Sequence, residues 1–362
     1  LKTFLKYIIL TVNIIAIVLL LISYLSVWIS PSVSVIPAYL SLAYPVLLIV
    51  NILFVLFWLL MFRKVFAYSL IAIFIGWNIM NSFFGFIPQG DKDDKKDNIL
   101  SIMSYNVKLF SLQSWSQKKP QVDKISALIR KEKPEIIALQ EFSGDKHGKN
   151  SPYSFKRKIK FYRYHHIHYL LKNSRYYGIA TFSQFPIIKK GVLEFNNTLN
   201  TCIYSDVVVG TDTLRVYNMH LQSVRFNHKE NSFLNNIKDA TDEERVEGAK
   251  QVVKRLRKAF LKRSVQAEIV KSHIDNSPYK VIVCGDFNAT PSSYTYQHIK
   301  RGLFDSFIEA GKGGIGASYA KGYSWLRIDY VLTDMAMQPI KHRVLSFFES
   351  SDHYPVIVNC SL

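Results

Sequence analysis

The chain has 362 residues, 49% of them hydrophobic, with 46 Lys and Arg against 27 Asp and Glu and a formal net charge of +19. That length accommodates a full catalytic domain plus a further segment, and the positive excess points to polyanionic partners. Three cysteines, Cys202, Cys284 and Cys360, show no zinc spacing, and neither an internal repeat nor a phosphate-cradling Gly-rich loop is present, so those classes fall away.

The apolar residues concentrate at the start. Residues 7–29, 36–62 and 65–87 contain no charged side chain, and each is long enough to cross a hydrocarbon core, which takes about 20 helical residues. A cleaved signal peptide fits poorly, because the first stretch is long, lacks a small-x-small site and is followed by two more. Residues 1–88 are thus expected to hold three transmembrane helices. Lys2 and Lys6 precede the first, Arg63 and Lys64 separate the second from the third, and the first loop carries no basic residue. The positive-inside rule then puts the N-terminus in the cytoplasm and everything after the third span on the far side, periplasmic for a bacterial inner-membrane protein.

Residues 89–98, within "PQGDKDDKKDN", read as a charged linker, and residues 99–362 have the composition of a globular domain. With the apolar segment and linker set aside, that domain keeps 39 basic and 23 acidic residues, net +16, suited to nucleic acid, anionic headgroups or phosphorylated small molecules.

Within it, a strand is expected to end at Asn106, a helix to follow with Val122, Ile125 and Leu128 on one face, and a buried strand to end near Glu141. "YGIATFSQFPII" reads as strand and turn, and "CIYSDVVVG" with "TLRVYNMHLQS" as a hairpin around Gly210, Thr211 and Asp212. Helical sequence covers 241–273. The strand "VIVCGD" then runs into Asp286 and Asn288, and "RIDYVLTD" and "SDHYPVIVNCSL" close the domain. Several strands therefore terminate in polar groups: Asn106, Glu141, His220, Asp286 with Asn288, Asp329, and Asp352 with His353. Each alone is an ordinary turn residue; together they offer oxygen acceptors for a hard cation and two imidazoles.

The ordered motifs "YNV", "LQEF", "NMHLQS", "GDFNATPSS", "RIDYVL" and "SDHYPV" resemble the endonuclease/exonuclease/phosphatase (DNase I-like) superfamily over residues 99–362. The resemblance implies an α+β four-layer sandwich: two mixed β-sheets face to face, helices outside, and a site at one edge. It implies Mg²⁺ at Glu141 with help from Asn106, Asp352 assisting a metal or water, and Asp286 and Asn288 orienting water and phosphate. His220 would contact the phosphate or protonate the leaving group, and Asp329 would hold His353 in its working tautomer. Mn²⁺ is the alternative ion.

The chemistry agrees with such a set. Phosphodiester hydrolysis needs charge neutralisation, an oriented water and a proton for the leaving oxygen, and an Asp–His pair supplies a held imidazolium. One departure is Lys108, where abasic-site enzymes of the family tend to carry an acidic metal neighbour; it reads either as a phosphate contact or as a solvated strand end. Arg175 and Tyr177 precede a strand near the expected cleft and are candidates for substrate contact or for packing.

A second departure is the basic stretch at 241–263. It would place Val252, Val253, Leu256, Phe260 and Leu261 along one helix face amid Lys254, Arg255, Arg257, Lys258, Lys262 and Arg263. Such a helix either rests on anionic headgroups or polyanionic substrate, or packs on the sheet with a solvated exterior; the second is the commoner arrangement. A transporter is disfavoured because the apolar spans carry no charged group. A tethered binding protein without catalysis would have lost strand-end polar residues, and none is missing. The expectation is a membrane-anchored, Mg²⁺-dependent phosphoesterase, foremost a phosphodiester hydrolase of nuclease type, with a phospholipid headgroup or a small phosphomonoester as the other substrates.

Overall fold

The computed structural model describes residues 2–86, 98–111, 121–145, 152–172, 175–224, 241–321 and 326–362. All but Asn98 of the expected linker 89–98 lies outside them. The chain forms two compact units: Leu1–Ser82 with Ser223–Ala267 and Thr290–His298, and Phe83–Gln222 with Glu268–Ala289 and Ile299–Leu362.

In the first unit, α1 (Lys2–Tyr24) is followed by α2 (Ile36–Leu42), α3 (Tyr44–Leu60), α4 (Phe66–Ile75) and α5 (Trp77–Phe83, its last residue in the second unit). Among the described residues, Phe4–Val27 is the one continuous helix long and apolar enough to cross a membrane. The second and third expected spans are instead bent pairs, α2 with α3 at 70° and α4 with α5 at 68°; the count reaches three where each pair is one span. The first bend has a cause in sequence. Pro45, in the first turn of α3, offers no N–H to Ser41 O and crowds it. That carbonyl accepts from Ser292 Oγ instead, at 2.7 Å, while Ser26 Oγ donates to Ser292 O at 2.7 Å. At the second bend Gly76 lies so close to the Tyr24 ring that a Cβ would stand 2.2 Å from it. Buried polar pairs join the helices: Asn13 Nδ2 to Ser69 Oγ at 2.7 Å and Trp58 Nε1 to Asn13 Oδ1 at 2.9 Å, the kind of bond that substitutes for a hydrophobic drive between apolar helices.

The second unit holds all twelve strands found among the described residues. β1 (Ile99–Asn106) is separated by α6 (Val122–Glu132) from β2 (Ile136–Asp145), and α7 (Pro152–Lys158) precedes β3 (Tyr164–Lys172), β4 (Arg175–Ser183), β5 (Ile187–Leu193), β6 (Thr201–Val209) and β7 (Asp212–His220). The long helix α8 (Asp242–Asp275) leads to β8 (Lys280–Asp286). Then come α9 (Tyr294–Lys300), β9 (Leu303–Asp305), α10 (Ser306–Ala310), β10 (Asp329–Asp334), β11 (Pro339–Val344) and β12 (Val356–Ser361). Two six-stranded sheets result, ordered β11-β12-β1-β2-β4-β3 and β5-β6-β7-β8-β10-β9. Both are mixed, since β1–β2 and β7–β8 run parallel and the other pairs antiparallel.

Strand alternation sorts the side chains. Leu100 and Ile102 of β1, Ile136 and Ala138 of β2, Leu214 and Val216 of β7, Ile282 and Cys284 of β8, and Val331 of β10 form the core between the sheets. Met103, Tyr105, Ile137, Leu139 and Phe142 point the other way, onto Ile125, Ile129 and Phe155 of the covering helices. This is the DNase I-like α/β sandwich expected from the motifs.

Candidate active site

The same alternation delivers the site. Asn106, His220, Asp286 and Asp329 occupy terminal positions of β1, β7, β8 and β10, each on the face that carries the inter-sheet core. Register sets three of them abreast: in the second sheet His220 pairs with Asp286, and Asp286 with Asp329. The close approach needs Gly285. Its φ is +144°, and a Cβ there would lie 2.0 Å from Met219 O, so the "GD" of the motif is a backbone requirement followed by a chemical one.

Asp286 is the hub and is buried. Its Oδ2 accepts from Asn106 Nδ2 of the opposite sheet at 3.0 Å and lies 3.7 Å from both His220 Nε2 and His353 Nε2. Its Oδ1 accepts from the Asn288 backbone N–H at 2.8 Å. Asn288, at φ +50°, gives Nδ2 to Leu221 O at 3.0 Å, which fixes the amide. Burial pushes the Asp286 carboxyl up to about 6, reinforced by the Asp329 charge and opposed by His353, His220 and the Asn288 N–H.

His353 gives the opposite case. Burial works against its imidazolium, but the carboxylates of Asp329 and Asp286 and the Nδ1 to Asp329 Oδ2 hydrogen bond at 2.8 Å outweigh it and raise the group to about 10. The ring is therefore a held cation with Nε2 facing Asp286. Ser318 Oγ accepts from the Ile328 and Asp329 N–H groups at 3.1 and 3.0 Å, steadying the partner carboxylate.

Glu141 reaches the site by a different device. In regular alternation it would follow inward-facing Gln140 to the helix-covered side, but β2 carries a bulge between Leu139 and Phe142, and Glu141 adopts φ +50°. Its Oε1 comes within 3.8 Å of His220 Nε2, with the side chain 25% exposed, so a solvated ion can approach. Lys108 begins a left-handed turn after β1, its N–H bonded to Asn106 Oδ1 at 3.0 Å and its ammonium paired to Asp352 Oδ2. Asp352 thus already faces a cation. Arg175 starts β4, and Tyr177 stands half-buried opposite Ser143 and Leu170.

Two contributors had no separate signal in the sequence. Ser351 Oγ donates to Asn106 O at 2.7 Å and accepts from His353 N at 3.3 Å, tying the "SDH" turn to the end of β1. Tyr319 lies edge-on to the His353 ring at 5.1 Å; burial and the charges of Asp352, Asp286 and Glu141 push its phenol up to about 12. Ser351 is the first residue of the "SDHYPV" motif but is not singled out within it, whereas Tyr319 sits in a loop without periodicity.

Asp286, Asp329 and His353 hold ligand atoms within 4.8 Å of one another, in a fully buried group. An imidazolium bonded to Asp329 already balances those carboxylates, so this trio is better described as a charge pair beside a carboxylate than as a cation cage. Asp329 Oδ1 is nevertheless buried without a hydrogen-bond partner among the described residues. For a hard divalent ion the donor chemistry fits better at Glu141, a partly exposed carboxylate, with the amide oxygen of buried Asn106, which accepts from the Lys108 N–H, as a second oxygen donor.

Comparisons agree with this architecture. The endonuclease/exonuclease/phosphatase from Beutenbergia cavernae DSM 12333 superposes with a TM-score of 0.54 at 18% identity, over 74% of this chain and 72% of that one. The human Nocturnin catalytic domain with bound sulfate anion gives 0.53 at 16% identity, over 76% and 99%. A family protein from Leptotrichia buccalis C-1013-b gives 0.51 at 15%, over 73% and 100%. No curated protein matches the chain significantly. A family model described as a domain of unknown function matches residues 6–83. The Endonuclease/Exonuclease/phosphatase family model matches residues 103–353, from the middle of β1 to His353, and the chain belongs to that family of phosphoesterase hydrolases.

Proposed function

We propose that the chain is a membrane-anchored phosphodiester hydrolase dependent on a divalent metal, Mg²⁺ or Mn²⁺. One observation carries the reading: the buried Asp286 carboxylate lies 3.7 Å from two imidazole Nε2 atoms and 3.0 Å from the Asn106 amide, at the ends of β1, β7 and β8 and in the turn before β12. Such a cluster serves a phosphate and a water at once.

Asp286, raised to about 6, is a carboxylate able to accept a proton from water near neutral pH. His353, kept cationic by Asp329, provides positive charge for non-bridging phosphate oxygens. His220, between Glu141 and Asp286, is placed to donate to phosphate or to the leaving oxygen. Asn288, its Nδ2 held by Leu221 O, helps orient the water. A bound ion at Glu141 and Asn106, with Asp352 beside them, would supply the remaining charge neutralisation. Lys108, Arg175 and Tyr177 are the substrate-contact candidates, Lys108 by exchange of its Asp352 pairing for phosphate.

The anchor is read as three spans of the bilayer, α1, α2 with α3, and α4 with α5. An odd number of crossings puts the first loop on the side of everything after residue 87, extracytoplasmic by the positive-inside rule. Contacts within the first unit support this: Ser26 and Ser41, at the ends of the first and second spans, both bond Ser292. The second reading of the substrate is a phospholipid headgroup, which an enzyme anchored by apolar helices would meet in its own bilayer.

The test uses the full chain in liposomes, with Mg²⁺ or a chelator, offered plasmid DNA, RNA, sphingomyelin or phosphatidylinositol vesicles, and inositol phosphates. Metal-dependent turnover of one class, lost in an Asp286→Ala and His353→Ala double variant, is the expected result. Turnover unchanged in that variant would overturn the assignment, and binding without turnover would leave a tethered phosphate-binding protein.

A further inference from the structure

Residues 242–267 of α8 belong to the unit formed by the apolar N-terminal helices, and the last part of the helix belongs to the second unit, where His273 Nδ1 meets Tyr217 OH at 2.7 Å. Tyr39 of α2 donates to Val253 O at 2.7 Å and stacks edge-on against Phe260 at 5.3 Å, and Ser32 Oγ lies 3.3 Å from Ser264 Oγ. Those partners mark the turn between the first and second apolar stretches, where Trp28 is 65% and Val33 83% exposed. Aromatic and apolar side chains left open at the end of a span are characteristic of the bilayer interface.

The outer face of this part of α8 has matching chemistry. Val246, Lys250, Val253 and Arg257 follow one another at four, three and four residues, forming a stripe flanked by Lys254 and Lys258, and all six are exposed. Val246 is 55% and Val253 49% open, which a merely solvated basic face would not require. Three of the four acidic residues at the start of the helix are engaged locally, Asp242 with Arg245 at 3.1 Å, Glu244 with the Thr241 cap and Glu247 with Gln251, and the fourth, Glu243, stands exposed in the first turn ahead of the stripe. Alternating cations and valines suit a helix lying among headgroups, its charges on phosphate and its methyls at the acyl boundary.

We infer that the exposed face of α8 from Val246 to Lys258 binds the headgroups of anionic phospholipids in the bilayer entered by the chain's own apolar helices. Charge complementarity and the attachment to Tyr39 of α2 favour this occupant over a soluble polyanion. The inference is independent of the catalytic reading.

The three native cysteines are buried, so a Val253→Cys substitution gives one selectively labelled site. The full chain with a nitroxide there is placed in nanodiscs of phosphatidylcholine alone or mixed with phosphatidylglycerol, and collision with oxygen is compared with collision with a water-soluble nickel chelate. The expected result is a severalfold rise in the oxygen-to-nickel ratio in the anionic discs. A Lys254→Gln, Arg257→Gln, Lys258→Gln variant should lose the rise, and a Lys254→Arg, Lys258→Arg variant should keep it. Equal ratios in both lipids, a rise that survives charge removal, or protection produced only by RNA or polyphosphate added to neutral discs would each overturn the inference.

Discussion

Asn106 at the end of β1 and Asp286 at the end of β8 belong to different sheets, yet Asn106 Nδ2 donates to Asp286 Oδ2 at 3.0 Å, closing the inter-sheet core with the hub of the site. Asn106→Ala leaves a buried carboxylate oxygen without its donor, a loss of about 1–3 kcal/mol. A lowered thermal midpoint together with reduced turnover is expected; an unchanged midpoint would mean that water replaces the amide at no cost.

Asp329→Asn preserves shape but removes the charge holding His353 and presents an amide to Nδ1. Activity should fall on the order of 10²- to 10⁴-fold, the range associated with a positioned acid or base. Because substrate can still be bound through other groups, kcat should drop more than KM rises. Full activity in this variant would remove His353 from the chemistry.

Glu141→Gln keeps the size of the side chain while removing the negative charge and one of the two acceptor oxygens it offers a hard cation. Mg²⁺ or Mn²⁺ should raise the thermal midpoint of the parent chain, through binding to the folded state alone, and leave the variant nearly unmoved. An equal shift in both would place the ion elsewhere.

Gly285→Ala brings a methyl against the Met219 carbonyl of the neighbouring strand at a φ that side chains rarely adopt. Strain on the order of 3 kcal/mol is expected, visible as a lower midpoint by circular dichroism. A wild-type midpoint would show that β7 and β8 separate freely.

His166, Nδ1 3.1 Å from Ser205 Oγ, and His342, Nδ1 2.9 Å from Ser306 Oγ, are both pushed from the ordinary 6.5 down to about 4, chiefly by burial. The folded state therefore binds fewer protons than the unfolded one. Their stabilisation is complete above about 6.5 and is lost as pH falls from there towards 4. Thermal midpoints should decline over that window, with a shallower decline in His342→Gln; a flat profile would contradict the assignment.

Much of the sandwich was legible because its strands are regular. "ILSIMSYN" and "VIVCGD" alternate between core and terminal polar group, so the side that carries Ile102 or Cys284 also carries Asn106 or Asp286. Glu141 was legible only through the motif: its reach depends on a bulge and a left-handed residue that alternation cannot show. The Lys108–Asp352 pair joins residues 244 apart and follows from tertiary placement alone. In the apolar segment, hydropathy showed the stretches but not their bends, which come from Pro45 and from the contact of Gly76 with Tyr24. The basic helix was legible as amphipathic, while its attachment to Tyr39 was not, since nothing in a period of 3.6 names the partner of a face.

The most direct measurement is hydrolysis of a simple phosphodiester by the full chain in oxygen-18 water with Mg²⁺, beside Asp286→Asn. One oxygen-18 in the phosphate product is expected, with dependence on the metal and a loss in the variant on the order of 10²-fold or more. Oxygen-18 in the alcohol instead, or equal turnover by the variant, would contradict water attack on phosphorus at Asp286.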